Sequence, residues 1–284
     1  MGKPKTIQII TDISDQSWNE MYAVMRGIAN SMSNEVVEIA PVTPVKELSI
    51  PHGAFLTRIM TKSYLSPVVI FTNVAPHQTF KSDLIAKIKD KDIIVMGSNN
   101  GIFDWVCRDF EFDYLAEIKS VKPFVVNGEI VYLPGDNIPK DYDDRFSEET
   151  AHHTFGAHVI YGAIAVGLAL GVDYKKFAED RSKSFVIPLD ICNGEIVHID
   201  NYGNLKICGN FELTEGSKYS ISKEGKYLGE AQYITGRMMS NPTGTFVVYP
   251  STSLPQMIDI ALVRGNAAKE LGVEIGDKLI FKMI

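Results

Sequence analysis

Cysteine is scarce and unpatterned: Cys107, Cys192 and Cys208 are odd in number, scattered, and without C-x-x-C spacing. That excludes a disulfide framework and a cysteine metal site, and it fits a reducing compartment. Glycine-rich phosphate cradles are missing too. Neither G-x-G-x-x-G nor G-x-x-x-x-G-K-S/T occurs, so a conventional dinucleotide or P-loop site is not expected. A G-x-S-x-G elbow is absent, which counts against a serine hydrolase. Basic residues are outnumbered, 28 Lys and Arg against 35 Asp and Glu, for a net charge of −7. With no basic stripe for phosphate contacts, a nucleic-acid partner is not expected. The longest apolar run, Val159 to Val172, holds three glycines and falls short of the ~20 residues of a membrane span. The opening MGKPKTIQIITD carries no signal-peptide core, so the expectation is a cytoplasmic protein with no membrane partner.

What is present is an ordinary globular composition, 45% hydrophobic and 22% charged, in 284 residues. That length suits two domains. The stretch that organises the chain is GEIVHIDNYGNLKICG, Gly194 to Gly209. Two apolar strands flank a polar turn, Asp200-Asn201-Tyr202-Gly203-Asn204, which sets a carboxylate and an amide on a rigid support. Taken alone, Asp200 and Asn204 would simply stabilise the turn.

Upstream, strands alternate with helices. TIQIITD (6–12) reads as a buried strand ending at Asp12, and a helix follows with Trp18, Met21, Tyr22, Val24, Met25 and Ile28 on its apolar face. VVEIA (36–40) reads as a second strand and residues 53–64 as a helix with Phe55, Leu56 and Ile59 inward. PVVIFTN (67–73) reads as a strand buried on both faces, Lys81 to Lys89 as a helix, and DIIVMG (92–97) as a fourth strand. This alternation indicates a largely parallel sheet flanked by helices. Ligands of such sheets sit beyond the carboxyl ends of the strands, where Asp12, Thr72, Asn73, Asn99 and Asn100 fall.

From Glu111 to Glu149 the pattern is irregular, with a hairpin at 123–133. The pair His152-His153 has no H-x-x-x-H spacing and reads as solvated, so no metal is expected. A helix of small and apolar residues runs from Ala157 to Leu170. After Ser184 short strand-like segments with glycine turns continue to the end, from SFVIPLDI to KLIFKMI. The expected architecture is an α/β N-terminal domain, 1–183, and a smaller C-terminal all-β barrel domain, 184–284.

These landmarks together resemble the S-adenosylmethionine hydroxide adenosyltransferase family, which includes the fluorinases and chlorinases. The resemblance rests on Thr11-Asp12, GAFL (53–56), NNG (99–101), the helix from Thr154, IDNYGN (199–204) and RGNAAKELGVEIGD (264–277). It covers nearly the whole chain, and the last two motifs are the most specific. It implies homotrimers that bind S-adenosylmethionine between one subunit's N-terminal domain and its neighbour's C-terminal domain. It also implies attack on ribose C5′ by water or halide, with methionine leaving. S-adenosylmethionine would be the substrate, with no cofactor.

By the same resemblance Asp12 accepts from the ribose hydroxyls, Asp200 meets the methionine ammonium, Asn204 meets adenine, and backbone near Ala267 reads the adenine edge. Asn73 and Phe155 are further substrate-binding candidates. Asp15 is a second candidate for the ammonium, at a spacing that differs from the family's. Ser253, in the turn Ser251-Thr252-Ser253, is the candidate for the methionine carboxylate, beside an apparent insertion at Leu254-Pro255. Arg264 stands open between a ligand contact and a surface charge.

The reactive corner departs from the family's Asp-Arg-His set. Thr72 and Thr79 stand where the family has Asp and Arg, and Gly156 where it has His. The halogenases' Tyr is absent at 72, and the fluorinases' Ser is replaced by Ala157. Candidates for the reaction are then Thr72, His77 and His158, the histidines displaced from the family position and open to a structural reading. The expected function is an enzyme that cleaves S-adenosylmethionine at C5′ by nucleophilic substitution. The alternatives are an elimination or cyclisation of the methionine part, or a non-catalytic sensor that kept the adenosyl pocket.

Overall fold

The computed structural model describes residues 6–32, 36–75, 82–119, 122–126, 129–133, 161–254 and 256–284. Its contacts divide the chain into two compact units, Met1–Leu189 and Asp190–Ile284.

In the first unit β1 (Thr6–Thr11) leads into α1 (Gln16–Met32), the short strands β2 (Glu38–Ile39) and β3 (Thr43–Pro44), and α2 (Ile50–Ser63). Then come β4 (Val68–Asn73), β5 (Asp83–Ile88), β6 (Ile93–Ser98), α3 (Asp104–Asp109) and β7 (Phe112–Ile118). A separate hairpin of β8 (Lys122–Val126) and β9 (Glu129–Leu133), then α4 (Gly162–Ala169) and β10 (Ala178–Asp180), complete it. The sheet order is β10-β7-β5-β6-β4-β1-β2, with β3 also on β1. β1, β2, β3, β4 and β6 run parallel, whereas β5 and β10 are antiparallel to their neighbours.

Strand alternation decides what each face of this sheet meets. Ile7, Ile9, Val69, Phe71, Ile85, Ile94 and Met96 form one core with Met21, Met25 and Ile28 of α1 and all of α4 except its glycines. The α1 residues recur at helical spacing, and each buried side chain contributes about 1.5–3 kcal/mol. Every residue of α4 is buried, as expected of a helix apolar on all sides. The other face meets α2, where Tyr64 donates to Gln8 Oε1 at 2.8 Å and Thr57 meets Thr72. Ser49 caps α2, accepting from the His52 amide, with Pro51 in the first turn.

Several sequence expectations are corrected. The helix expected over Lys81 to Lys89 is not found among the described residues: Asp83–Ile88 is β5, an interior strand of the sheet. Its lysines look like a helix surface in sequence, but Lys87 lies half-buried beside Asp92 and Asp113, each at 3.6 Å. The turn to β6 is tight and carries Asp90 at φ 59°. The segment after Glu111, expected to be irregular, contains β7, which pairs with β5 through Leu84–Glu117 and Ala86–Leu115. SFVIPLDI forms no strand. It is held by Asn99, whose side chain accepts from the Ile187 amide and donates to the Phe185 carbonyl. Tyr22 is exposed rather than inward, and Ile59 is only half-buried. The second strand is the two residues of β2 rather than 36–40. The expected residues His77, Phe155 and His158, with Thr79, Gly156, Ala157 and the His152-His153 pair, lie outside the described residues.

The second unit holds β11 (Glu195–Ile199), β12 (Leu205–Cys208), β13 (Lys218–Lys223), β14 (Lys226–Tyr233), β15 (Phe246–Pro250), β16 (Met257–Leu262), the short helix α5 (Ala267–Leu271) and β17 (Ile280–Met283). They form one curled seven-stranded sheet, β11-β12-β16-β15-β14-β13-β17. The Leu279 amide donates to the Gly194 carbonyl and the Ile196 amide to the Asp277 carbonyl, each at 2.8 Å, and these bonds bring the chain before β17 back to the first edge. Ile196, Leu205, Ile207, Ile221, Val248 and Ile260 fill its core, and α5 adds Ala267 and Leu271. This helix is a departure from an all-β domain. Among the described residues no helix is long and apolar enough to cross a membrane, and no group of three or more His, Cys, Asp or Glu is placed to hold a metal.

Candidate functional site

After β1 the chain passes to β2 on one side, and only later to β4 on the other. This reversal of strand order is a topological switch point, and the carboxyl ends of β1 and β4 are where such sheets place a ligand crevice. Asp12 follows β1 directly, and Asn73 ends β4 in register with Thr11.

One oxygen of Asp12 organises this crevice. Oδ2 accepts from the Leu48 amide at 3.0 Å and from the Ala75 amide at 3.4 Å. Both donors are non-glycine residues in the left-handed region, with φ of 57° and 44°. Such backbone costs about 1–3 kcal/mol and persists only where its surroundings impose it. Asn100 holds the same corner from the far side, donating to the Val74 and Ala75 carbonyls at 3.1 and 3.3 Å. Among the described residues nothing donates to Asp12 Oδ1, so that oxygen can accept a further hydrogen bond.

Thr72 points the other way, toward α2. Thr57 Oγ1 gives its single hydrogen to the Gly53 carbonyl at 2.7 Å, so Thr72 Oγ1, 2.7 Å from Thr57 Oγ1, must be the donor between them. Its proton is engaged in a buried contact. Gly97 on β6 is needed here, because a Cβ would stand 2.6 Å from the Thr72 carbonyl. Asn73 is buried and its amide lies 3.4 Å from Thr11 Oγ1. Asn99 and Asn100 occupy the strand end as expected, but their amides hold backbone rather than face open space. Asp15 is exposed and acts at the start of α1, where Oδ1 accepts from the Ser17 amide at 2.9 Å.

In the second unit the Asp200 carboxylate closes its own turn. Oδ1 accepts from the amides of Tyr202 and Asn204, and Oδ2 accepts from Asn204 Nδ2 at 2.9 Å. The turn is seated on the start of α5, where the Ala268 amide donates to the Gly203 carbonyl at 3.0 Å. Asn266 caps that helix, accepting from the Lys269 amide. The two most specific motifs of the sequence thus meet: Asp200, Asn204 and Ala267 share one end of the sheet. Arg264 is exposed there, at φ 57°, and donates to Thr243 Oγ1. Ser253 follows the far end of β15 and is not brought to this cluster; its amide donates to Ser251 Oγ at 3.2 Å.

Beside the turn, His198, Lys206, Asp259 and Tyr249 lie side by side across four strands. Lys206 and Asp259 form a buried ion pair. Burial raises the Asp259 carboxyl from its ordinary value, against the lowering effect of Lys206. Burial likewise pushes Tyr249 up to about 12, helped by Asp259 and Asp200, and lowers His198.

The sequence reading missed Ser82, Asp83, Ser98 and Tyr161 at the same carboxyl edge. Ser98 Oγ donates to Asp83 Oδ1 at 2.9 Å, and both residues are buried. Burial and the neighbouring Asp83 raise the Tyr161 phenol, so it stays protonated as a donor. The one local signal was the charged KDKD at 89–92, which falls in the turn between β5 and β6.

No protein-family model and no curated protein matches the chain. Solved structures do. The crystal structure of an uncharacterized conserved protein from Thermotoga maritima aligns with a TM-score of 0.68 at 16% identity, covering 97% of this chain and 100% of its own. A conserved hypothetical protein from Thermus thermophilus aligns with a TM-score of 0.61 at 15% identity, covering 98% and 99%. At these identities the likeness establishes a shared fold across both units.

Proposed function

We propose that this protein binds S-adenosylmethionine and cleaves its C5′–S bond by nucleophilic substitution. Water would give adenosine and methionine, and a halide or another nucleophile would give the 5′-substituted adenosine. The observation that carries the reading is Asp12 at the β1–β4 crevice, with Oδ2 held by two backbone amides and no donor to Oδ1 among the described residues. A carboxylate fixed in this way can accept from a ribose hydroxyl without first being oriented.

The reading extends to the second unit, where Asp200 and Asn204 stand beside α5. It includes a closed barrel there, a homotrimer with shared sites, and a cytoplasmic location. The chemistry asks little acid catalysis of the protein. A sulfonium leaves as a neutral thioether, so the protein's task is to position and desolvate the nucleophile.

One observation favours a second reading, a non-catalytic sensor of the same ligand. The Thr72 hydroxyl, at the reactive position of the resembled family, is already donated to Thr57. The test is incubation with S-adenosylmethionine, with and without chloride, and identification of products by chromatography and mass spectrometry. Adenosine with methionine, or a 5′-chloro-adenosine, establishes the enzyme. Bound but unconsumed ligand establishes the sensor.

A further inference from the structure

Four polar side chains cross the sheet side by side in its last layer before the carboxyl edge. Thr11 pairs in register with Asn73, Ser98 follows the residue paired with Thr72, and Ser98 pairs with Asp83. By strand alternation they continue the rows of Ile9, Phe71, Met96 and Ile85, which face α1 and α4. All four are nine-tenths buried or more, at 0%, 7%, 5% and 5% exposure. The layer beneath is wholly apolar. Burying hydroxyls, an amide and a carboxylate costs several kcal/mol unless they are bonded, and here they are bonded in a directed way. Asn73 donates toward Thr11, while Ser98 and Tyr161 both turn their hydroxyls to Asp83. The adjacent Ser82 hydroxyl is buried with no hydrogen-bond partner, a donor and acceptor left over at the same edge. The row starts at the β1–β4 crevice and ends at the carboxylate, with neighbouring strands about 4.8 Å apart.

We infer that Ser98 and Asp83 form a hydroxyl–carboxylate pair that takes the proton from the attacking water in the proposed reaction. The inference rests on that reading and adds to it the group that accepts the proton. Water oxygen forms the bond to C5′ as the C5′–S bond breaks, and its electron pair stays on sulfur, giving neutral methionine. The water proton passes to Ser98 Oγ while the hydrogen Ser98 already donates moves to Asp83 Oδ1. Ser98 is the residue that touches the nucleophile. Asp83 is the positioning residue behind it, and Tyr161 holds that carboxylate in place as a second donor.

The test compares Ser98→Ala, Asp83→Asn and Asp83→Glu with the wild type in the full-length protein, reading kcat, KM, ligand affinity by calorimetry and the melting curve. Loss of proton transfer lowers kcat roughly a hundredfold in Ser98→Ala and Asp83→Asn. KM and affinity stay within about threefold, and Asp83→Glu recovers part of the rate. Turnover within about threefold of wild type in Ser98→Ala overturns the pair, as does a parallel loss of affinity and turnover. If Asp83→Asn does not fold, Ser98→Ala decides, because it removes one hydroxyl and leaves the carboxylate with Tyr161. Wild-type turnover with unimpaired variants removes the pair alone. Wild-type binding without product removes the catalytic reading and the pair with it.

Discussion

The amide of Leu48 donates to Asp12 Oδ2 across 3.0 Å from a backbone in the left-handed region, φ 57°. Ala75 does the same from the other side of the crevice, at φ 44°. The carboxylate proposed to bind the ligand is thus also the anchor of both loops around it. An amide bond to a charged acceptor contributes about 1.5–3 kcal/mol, enough to hold these conformations. Asp12→Asn keeps a carbonyl oxygen for the two amides, whereas Asp12→Ala keeps none. Hydrogen exchange at Leu48 and Ala75 should accelerate roughly tenfold or more in Asp12→Ala and change little in Asp12→Asn. Equal protection in wild type and Asp12→Ala would remove the anchoring role.

Thr72→Val removes one buried hydroxyl and leaves Thr57 bonded to the Gly53 carbonyl. The expected cost is about 1 kcal/mol in denaturant unfolding, with ligand affinity unchanged because the side chain faces α2. A large loss of affinity would place Thr72 at the ligand after all.

Lys206→Met leaves Asp259, at 2% exposure, without its cation. Removing one partner of a buried pair costs roughly 3–5 kcal/mol. The sign of the pH dependence follows from burial, which raises the Asp259 pKa above its unfolded value. The folded state then binds the proton more tightly, an advantage present below the unfolded pKa and lost as pH rises through the folded one. Without Lys206 the raised value rises further. The variant's deficit should shrink as pH falls through that value, in denaturant midpoints measured across the acidic range. A constant deficit would contradict this.

Gly203→Ala meets two obstacles. The position lies at φ 85°, and a Cβ would stand 2.2 Å from the Asn266 side chain. Moving Asn266 forfeits the cap of α5, about 1 kcal/mol, and the left-handed backbone adds about 1–3 kcal/mol. The melting temperature should fall by several degrees, and a neutral substitution would show that the turn and helix move apart freely.

Much of this arrangement was legible in the sequence where local pattern and tertiary role agree. Asp12 ends an apolar strand, and the turn from Asp200 to Asn204 lies between two alternating runs, so both could be placed from residues alone. Asp83 could not. Lys81, Asp83, Lys87 and Lys89 spread charge as an exposed helix would, and only pairing with β6 and β7 turns Asp83 and Leu84 inward. Thr72 shows a further limit. Its position at a strand end was readable, but the partner that engages its hydroxyl lies on α2, and alternation alone cannot say which face holds the ligand. Asn99 and Asn100 were read by position as ligand candidates, yet the carbonyls and amides they hold become visible only in the fold.

The central claim is a ribose-binding carboxylate at the β1–β4 crevice, and calorimetric titration with S-adenosylmethionine tests it most directly. Saturable binding by the wild type, lost or weakened at least tenfold in a folded Asp12→Ala variant, is the predicted result. Absence of binding by the folded wild type, or equal affinity in the variant, would contradict it.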